Sequence, residues 1–208
     1  INSVFVLGST SEVAKSICRR LAKQKCRRFH LVARNTDKNK QFAEELRISF
    51  GVEVSEEETN LLNDAKYGSE SNHHVADYDL YLITAGFLGD TELASQINSE
   101  AFKIISANFT GIVPWLNAIA TIERLQKSSR LWIFSSVAGD RGRPSNYYYG
   151  AAKSALTVFC EGLFLRCSDK PFSVRIFKAG FIDTPMSKGK APKFLSASPQ
   201  SIARSILR

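Results

Sequence analysis

The residues of this chain best suited to chemistry lie in the stretch LWIFSSVAGDRGRPSNYYYGAAK, positions 131–153. Tyr149 precedes Lys153 by four residues, a spacing that puts both on one face of a helix. A fixed ammonium beside a phenol favours the phenolate and lowers the tyrosine pKa from about 10 toward working pH, so the hydroxyl becomes a usable proton donor. Ser136 stands thirteen residues before Tyr149, just past the apolar run 131–134, which reads as a buried strand ending in a small-residue loop. A tyrosine and a lysine at this spacing also describe an ordinary amphipathic helix face. Of the neighbouring Tyr147, Tyr148 and Tyr149, only Tyr149 has both a lysine four residues on and a serine thirteen before.

Elements able to position such a group recur along the chain. Apolar, β-rich runs at 3–7, 29–33, 52–55, 80–84, 131–134 and 172–177 alternate with helical patterns, which predicts an α/β domain with a mostly parallel sheet. The first run enters Gly8-Ser9-Thr10-Ser11-Glu12 and then a helix with Val13, Ile17 and Leu21 on one buried face, the context of a phosphate-binding loop. Ser9 and Glu12 also fit a capping box, which starts a helix without any ligand. Helices are expected around 39–49, from about 99 to 124, from 147 to about 167, and from near Pro199.

The bulk numbers fit one domain over residues 1–208. At 208 residues, 44% hydrophobic and 23% charged, the chain can bury a sizeable core, and no apolar run is long enough to cross a bilayer. Cys18, Cys26, Cys160 and Cys167 form no CxxC pair and have no histidines at metal spacing, so free thiols in a reducing cytoplasm are expected, with disulfides as the lesser alternative, and no metal site. Adjacent His73 and His74 read as surface residues. The net charge of +8 suits an acidic partner, a phosphorylated ligand or an anionic membrane surface, although the basic residues are scattered and do not form the aromatic-interleaved stripe of a nucleic-acid binder. The chain begins at Ile1, so residues upstream are expected.

With Ser136 ahead of Tyr149 and Lys153, the chain resembles the short-chain dehydrogenase/reductase family over nearly its full length. The resemblance implies a doubly wound, Rossmann-type sheet with helices on both faces; the family's seventh strand is not expected within 1–208. It implies that Asn108 joins Ser136, Tyr149 and Lys153 in the active site, a satisfied structural hydrogen bond being the competing account of Asn108. Cofactor contacts would come from Gly8, Ser9, Thr10, Ser11, Glu12 and Val13, with Glu12 and Ala14 where the family usually has glycines. Further contacts would come from Asn60 and Leu61 beside the adenine, Ala85 and Gly86, and Gly180, Ile182 and Thr184 on the nicotinamide side, as well as Tyr149 and Lys153. Arg34 follows the position where the fold holds an acidic residue for a ribose hydroxyl, and an arginine there pairs with a 2′-phosphate, favouring NADPH over NADH; a solvated loop arginine is the alternative.

The implied activity is hydride transfer between NADP(H) and a carbonyl or alcohol, with Tyr149 as general acid and base. Residues 139–146, with Arg141 and Arg143, resemble a subgroup that reduces keto-sugars carried on polyprenyl phosphate, which would bring a lipid-linked substrate and peripheral membrane contact. A small ketone or a 3-oxoacyl thioester is an equal alternative. Residues 188–198 read as a substrate loop, and the helix from 147 as a surface for homo-oligomers. The departures in the glycine loop keep a second class open, a nucleotide-binding or scaffolding member that has lost turnover.

Overall fold

The computed structural model describes residues 1–64, 75, 77–122, 129–167, 172–187 and 195–208. His73 and His74, the end of the helix expected to reach 124 and most of the 188–198 loop lie outside them. Six strands form one sheet in the order β3-β2-β1-β4-β5-β6: β1 Ser3–Leu7, β2 Arg28–Ala33, β3 Glu53–Glu58, β4 Leu80–Ile83, β5 Ser129–Ser136 and β6 Phe172–Ala179. β1 pairs in parallel with β2 and with β4, and β2 with β3. Strand order reverses across β1 and β4, the switch that in open α/β sheets leaves a crevice for ligands. The helices are α1 Glu12–Lys23, α2 Thr36–Phe50, α3 Leu61–Asp64, α4 Thr91–Gln96, α5 Asn98–Ile105, α6 Val113–Ala120, α7 Tyr147–Arg166 and α8 Pro199–Ile206. The expected α/β, doubly wound architecture is the one observed.

The chain divides into two compact units. One comprises residues 1–59, 78–84 and 179–208, the other 60–77 and 85–178. In the first, β1 is buried along its whole length and α1 turns Val13, Ala14, Ile17, Cys18 and Leu21 inward. α1 ends with Lys25 N–H bonded to the Ala22 carbonyl and Cys26 N–H to that of Leu21, a Schellman ending in which Lys25 takes the left-handed position (φ 68°) usually given to glycine. β3 is longer than the run 52–55 because its acidic end finds partners: Glu56 pairs with Arg47 at 2.5 Å and Glu57 with His30 at 2.9 Å. Charge along an edge strand also discourages pairing with another chain.

In the second unit, the single helix expected from about 99 is broken. α5 passes into one π-helical turn, Ser106–Thr110, and α6 starts afresh at Val113. Pro114 gives the reason, since its ring would collide with the carbonyl four residues back and it has no N–H to donate, so the helix must reset ahead of it. α4 was not legible as a helix. It is held by Asp90, whose Oδ1 accepts the Leu93 N–H at 3.0 Å. All four cysteines are free and buried, and among the described residues no helix is long and apolar enough to cross a membrane.

Candidate active site

The second unit gathers Asn108, Ser136, Tyr149 and Lys153. Ser136 is the last residue of β5, extended at φ −151°, and the chain then makes a short 3-10 turn, Val137–Gly139. α7 lies directly on that turn because Gly150 has no side chain: a Cβ there would sit 2.6 Å from the Ala138 carbonyl oxygen. This close approach carries the Tyr149 hydroxyl to the Ser136 side chain, with which it forms a hydrogen bond. Ser136 Oγ also accepts the Ala138 N–H at 3.1 Å. The Tyr149 ring packs with Tyr148 against Ala94, Ala101 and Ile104, which fixes the phenol from its other side.

Lys153 is 3% exposed, and its Nζ donates to the Phe134 carbonyl at 3.0 Å. Its ammonium lies 5.9 Å from the centroid of the Tyr149 ring. Burial lowers the Lys153 pKa to about 8. Burial also raises the Tyr149 pKa, and the hydrogen bond from Ser136 works against the rise. The expectation that Lys153 acidifies Tyr149 is therefore corrected. Removal from water disfavours the charged form of both groups, the ammonium is committed to a backbone carbonyl, and Ser136 is the neighbour that favours the phenolate.

Two residues missed in the sequence place Lys153. Thr157 Oγ1 donates to the Lys153 carbonyl at 2.8 Å, and Ser135 Oγ lies 3.1 Å from the same oxygen and 2.7 Å from Thr157 Oγ1. The serine doublet at the strand end and a threonine four residues after the lysine were the available signals. Asn108, fully buried, uses its amide on backbone: Nδ2 donates to the carbonyls of Phe87 (2.6 Å) and Ile104 (2.7 Å), and Oδ1 accepts the Phe87 N–H at 3.2 Å. The π turn leaves the Ile104 carbonyl for this contact. Asn108 thus clamps the segment carrying Gly86, where a Cβ would meet Asn108 Oδ1 at 2.9 Å and Lys153 Nζ at 3.4 Å. The small space at Gly86 is bounded by the Asn108 amide oxygen, an acceptor, and the Lys153 ammonium, a donor, a pair suited to a polar ligand group such as a hydroxyl. Ala85 precedes it. Asn60 Oδ1 accepts the Leu62 N–H at 3.2 Å, and Leu61 opens α3 against Gly111.

In the first unit, Gly8 has φ 90°, a conformation that favours glycine. Ser9 is corrected. Its hydroxyl is buried, bonded to Asn39 Oδ1 at 2.5 Å, and its N–H goes to the Val32 carbonyl. It neither caps α1 nor offers a donor to a ligand. The N-cap is Ser11, without a side-chain bond, so the Ser9–Glu12 capping box is not formed. Asn39, also missed, joins the loop to β2 through Nδ2 and the Leu31 carbonyl at 2.8 Å. Glu12 pairs with Lys15 at 3.0 Å along the helix surface, which neutralises the carboxylate that stands where a glycine was expected. The first-turn N–H groups of α1, at Glu12 and Val13, have no intrahelical partner, although the Val13 side chain is core. Thr10 and Ser11 are partly exposed and Arg34 is exposed. A phosphate fits this helix start through backbone donors, with Thr10 and Ser11 rather than Ser9 as the available hydroxyls. Ile182 bridges to Ala197, Thr184 N–H donates to Ser187 Oγ at 3.3 Å, and a side chain at Gly180 would meet nothing within 4 Å.

Comparison with known proteins agrees with this architecture. The family described as short chain dehydrogenase matches residues 2–193. The chain is 30% identical over 208 residues to the uncharacterized oxidoreductase Rv2073c of Mycobacterium tuberculosis, covering 99% of this chain and 83% of that protein. It is 27% identical over 158 residues to the 3-oxoacyl-[acyl-carrier-protein] reductase FabG of Chlamydia muridarum, covering 74% of this chain and 64% of that one. The fold is shared with a short-chain dehydrogenase from Sphingobium yanoikuyae solved in complex with NADPH, at a TM-score of 0.85 and 19% identity, over 100% of this chain and 83% of that one.

Proposed function

Because the chain belongs to the short-chain dehydrogenase family and is an oxidoreductase, we propose that residues 1–208 act as one domain transferring hydride between NADP(H) and a carbonyl or alcohol, with Tyr149 as the general acid and base. Bound NADPH supplies the hydride. Tyr149, whose pKa is raised by burial, holds its proton at neutral pH and gives it from the hydroxyl to the oxyanion developing on the substrate. Ser136, already bonded to that hydroxyl, donates to the same substrate oxygen. Lys153 and Asn108 border the space at Gly86, and Lys153 would hold the nicotinamide ribose there. The observation carrying this reading is the hydrogen bond between Tyr149 and Ser136 with the Lys153 ammonium 5.9 Å from the ring.

NADPH is favoured over NADH by Arg34, exposed after β2 and without an ion-pair partner among the described residues. Thr10, Ser11, and the N–H groups of Glu12 and Val13 would hold the pyrophosphate, Asn60 and Leu61 the adenine, and Ala85, Gly180, Ile182 and Thr184 the remainder. Two further readings have support. Arg141 and Arg143 have no ion-pair partner among the described residues, which favours a substrate that carries a phosphate away from its carbonyl, as a lipid-linked one would. Phe102, Val158 and Leu165 are exposed on α5 and α7, which favours a homo-oligomer. Four free cysteines suit the cytoplasm.

Titration with NADPH by calorimetry, followed by ketone reduction, tests the proposal. The Tyr149→Phe variant should bind NADPH near normally and lose turnover. Carbonyl reduction retained in that variant removes the mechanism, and absence of NADPH binding by the unaltered chain leaves a scaffolding protein instead.

A further inference from the structure

Four large apolar side chains stay exposed at the edge of the catalytic group. Val137, 38% exposed, follows Ser136; Tyr147, 42% exposed, precedes Tyr149 by two residues. Phe87, 37% exposed, follows Gly86, and Leu93, 41% exposed, adjoins Ala94, against which Tyr149 packs.

Contacts tie Phe87, Leu93 and Tyr147 to one place, and Val137 is joined to it through the chain at Ser136. A Cβ at Gly89 would meet both the Phe87 ring (3.3 Å) and Ile104, so Phe87 borders the cluster that holds Tyr149. Thr91 Oγ1 donates to the Ser145 carbonyl at 2.9 Å, joining the start of α4, and with it Leu93, to the loop before α7. The Tyr147 and Tyr148 rings lie 4.3 Å apart, and Tyr148 packs on the same cluster. The other exposed apolar residues of α7 are remote. Val158, Phe164 and Leu165 lie nine, fifteen and sixteen residues beyond Tyr149, about 14 to 24 Å along the axis.

Resting on the proposed carbonyl chemistry, we infer that the substrate is a ketone whose carbonyl carries a bulky apolar group, seated against Phe87, Leu93, Val137 and Tyr147. A polar body such as a free keto-sugar would leave Phe87, Leu93 and Val137 in water and bring its own hydroxyls against three side chains that cannot hydrogen-bond them, with only the Tyr147 hydroxyl as a partner.

The test is a homologous series of methyl ketones, from butanone to 2-octanone, and a free pentulose, each assayed with NADPH. Burial of each added methylene contributes about 0.8 kcal/mol, so kcat/KM should rise about fourfold per methylene until the rim is covered. The double substitution Leu93→Asn with Val137→Asn should cut that slope by half or more, and NADPH affinity measured by calorimetry shows that the variant is folded. A flat series, a slope unaltered in a variant that binds NADPH, or preference for the pentulose overturns the inference while the oxidoreductase reading stands. No turnover of any ketone by a chain that binds NADPH overturns both.

Discussion

Replacing Lys153 by methionine should make the protein inactive and, at neutral pH, more stable. The folded state holds the Lys153 ammonium almost out of water, and its pKa falls from 10.5 to about 8. At about 1.36 kcal/mol per pH unit, this difference means the charged side chain costs about 3 kcal/mol of stability wherever both the folded and unfolded chains carry the proton. Methionine removes that cost and also the hydrogen bond to the Phe134 carbonyl, which offsets it by about 1 kcal/mol. The variant should therefore gain about 2 kcal/mol below pH 8. Above pH 8 the folded wild-type lysine releases its proton while the unfolded one keeps it, so wild-type stability recovers as pH rises toward 10.5 and the variant's advantage shrinks. By pH 9.5 roughly 2 of the 3 kcal/mol should be gone. Urea unfolding of both proteins at pH 6, 7.5, 9 and 9.5 measures the difference, in which groups common to both cancel. A variant less stable at pH 6, or a difference that does not change with pH, refutes the buried, weakened ammonium.

The other predictions follow from single contacts. Gly150→Ala puts a Cβ 2.6 Å from the Ala138 carbonyl, so α7 and the turn after Ser136 must part; a loss of about 1–3 kcal/mol in denaturant unfolding and a steep fall in kcat are expected. Lys25→Gly relieves a left-handed residue at the end of α1 and should raise stability by about 1 kcal/mol, read as a higher urea midpoint at unchanged m. Ser135→Ala combined with Thr157→Val strips both hydroxyls from the Lys153 carbonyl. Besides a loss of about 1–2 kcal/mol in stability, the alkaline limb of the pH–rate profile should move, whereas a purely structural pair would leave that limb in place.

The sequence showed the sheet more fully than the site. Period and composition were enough for six strands because most are local apolar runs, β3 with Val54 as its one buried residue being the weakest, and β1 and β4 are so thoroughly buried that nothing polar interrupts them. The helix expected from 99 failed because an apolar pattern continues across Asn108 and Gly111 to Pro114. Hydrophobic spacing does not record where backbone bonding must reset, although the proline did. At the glycine loop, Ser9 and Glu12 have the spacing of a capping box, yet Asn39, thirty residues on, takes the Ser9 hydroxyl. A local rule was overridden by a long-range partner that no window around residue 9 contains.

The same limit explains why Tyr149 and Lys153 were found while their electrostatics were misjudged. Spacing at i and i+4 shows that two side chains share a face, but a pKa depends on depth, and depth is set by what packs over them. Here β5 supplies both the cover and the competitor, since the Phe134 carbonyl takes the ammonium and Ser136 takes the phenol. A tyrosine kept protonated by burial is ready to donate in the reducing direction, and only the reverse reaction needs it ionised. Oxidation of an alcohol should therefore require a more alkaline medium than reduction of the matching ketone. Rates measured in both directions from pH 6 to 10 should show reduction level at neutral pH and oxidation still rising at pH 9; an oxidation optimum near pH 7 would mean that the phenol is acidified after all.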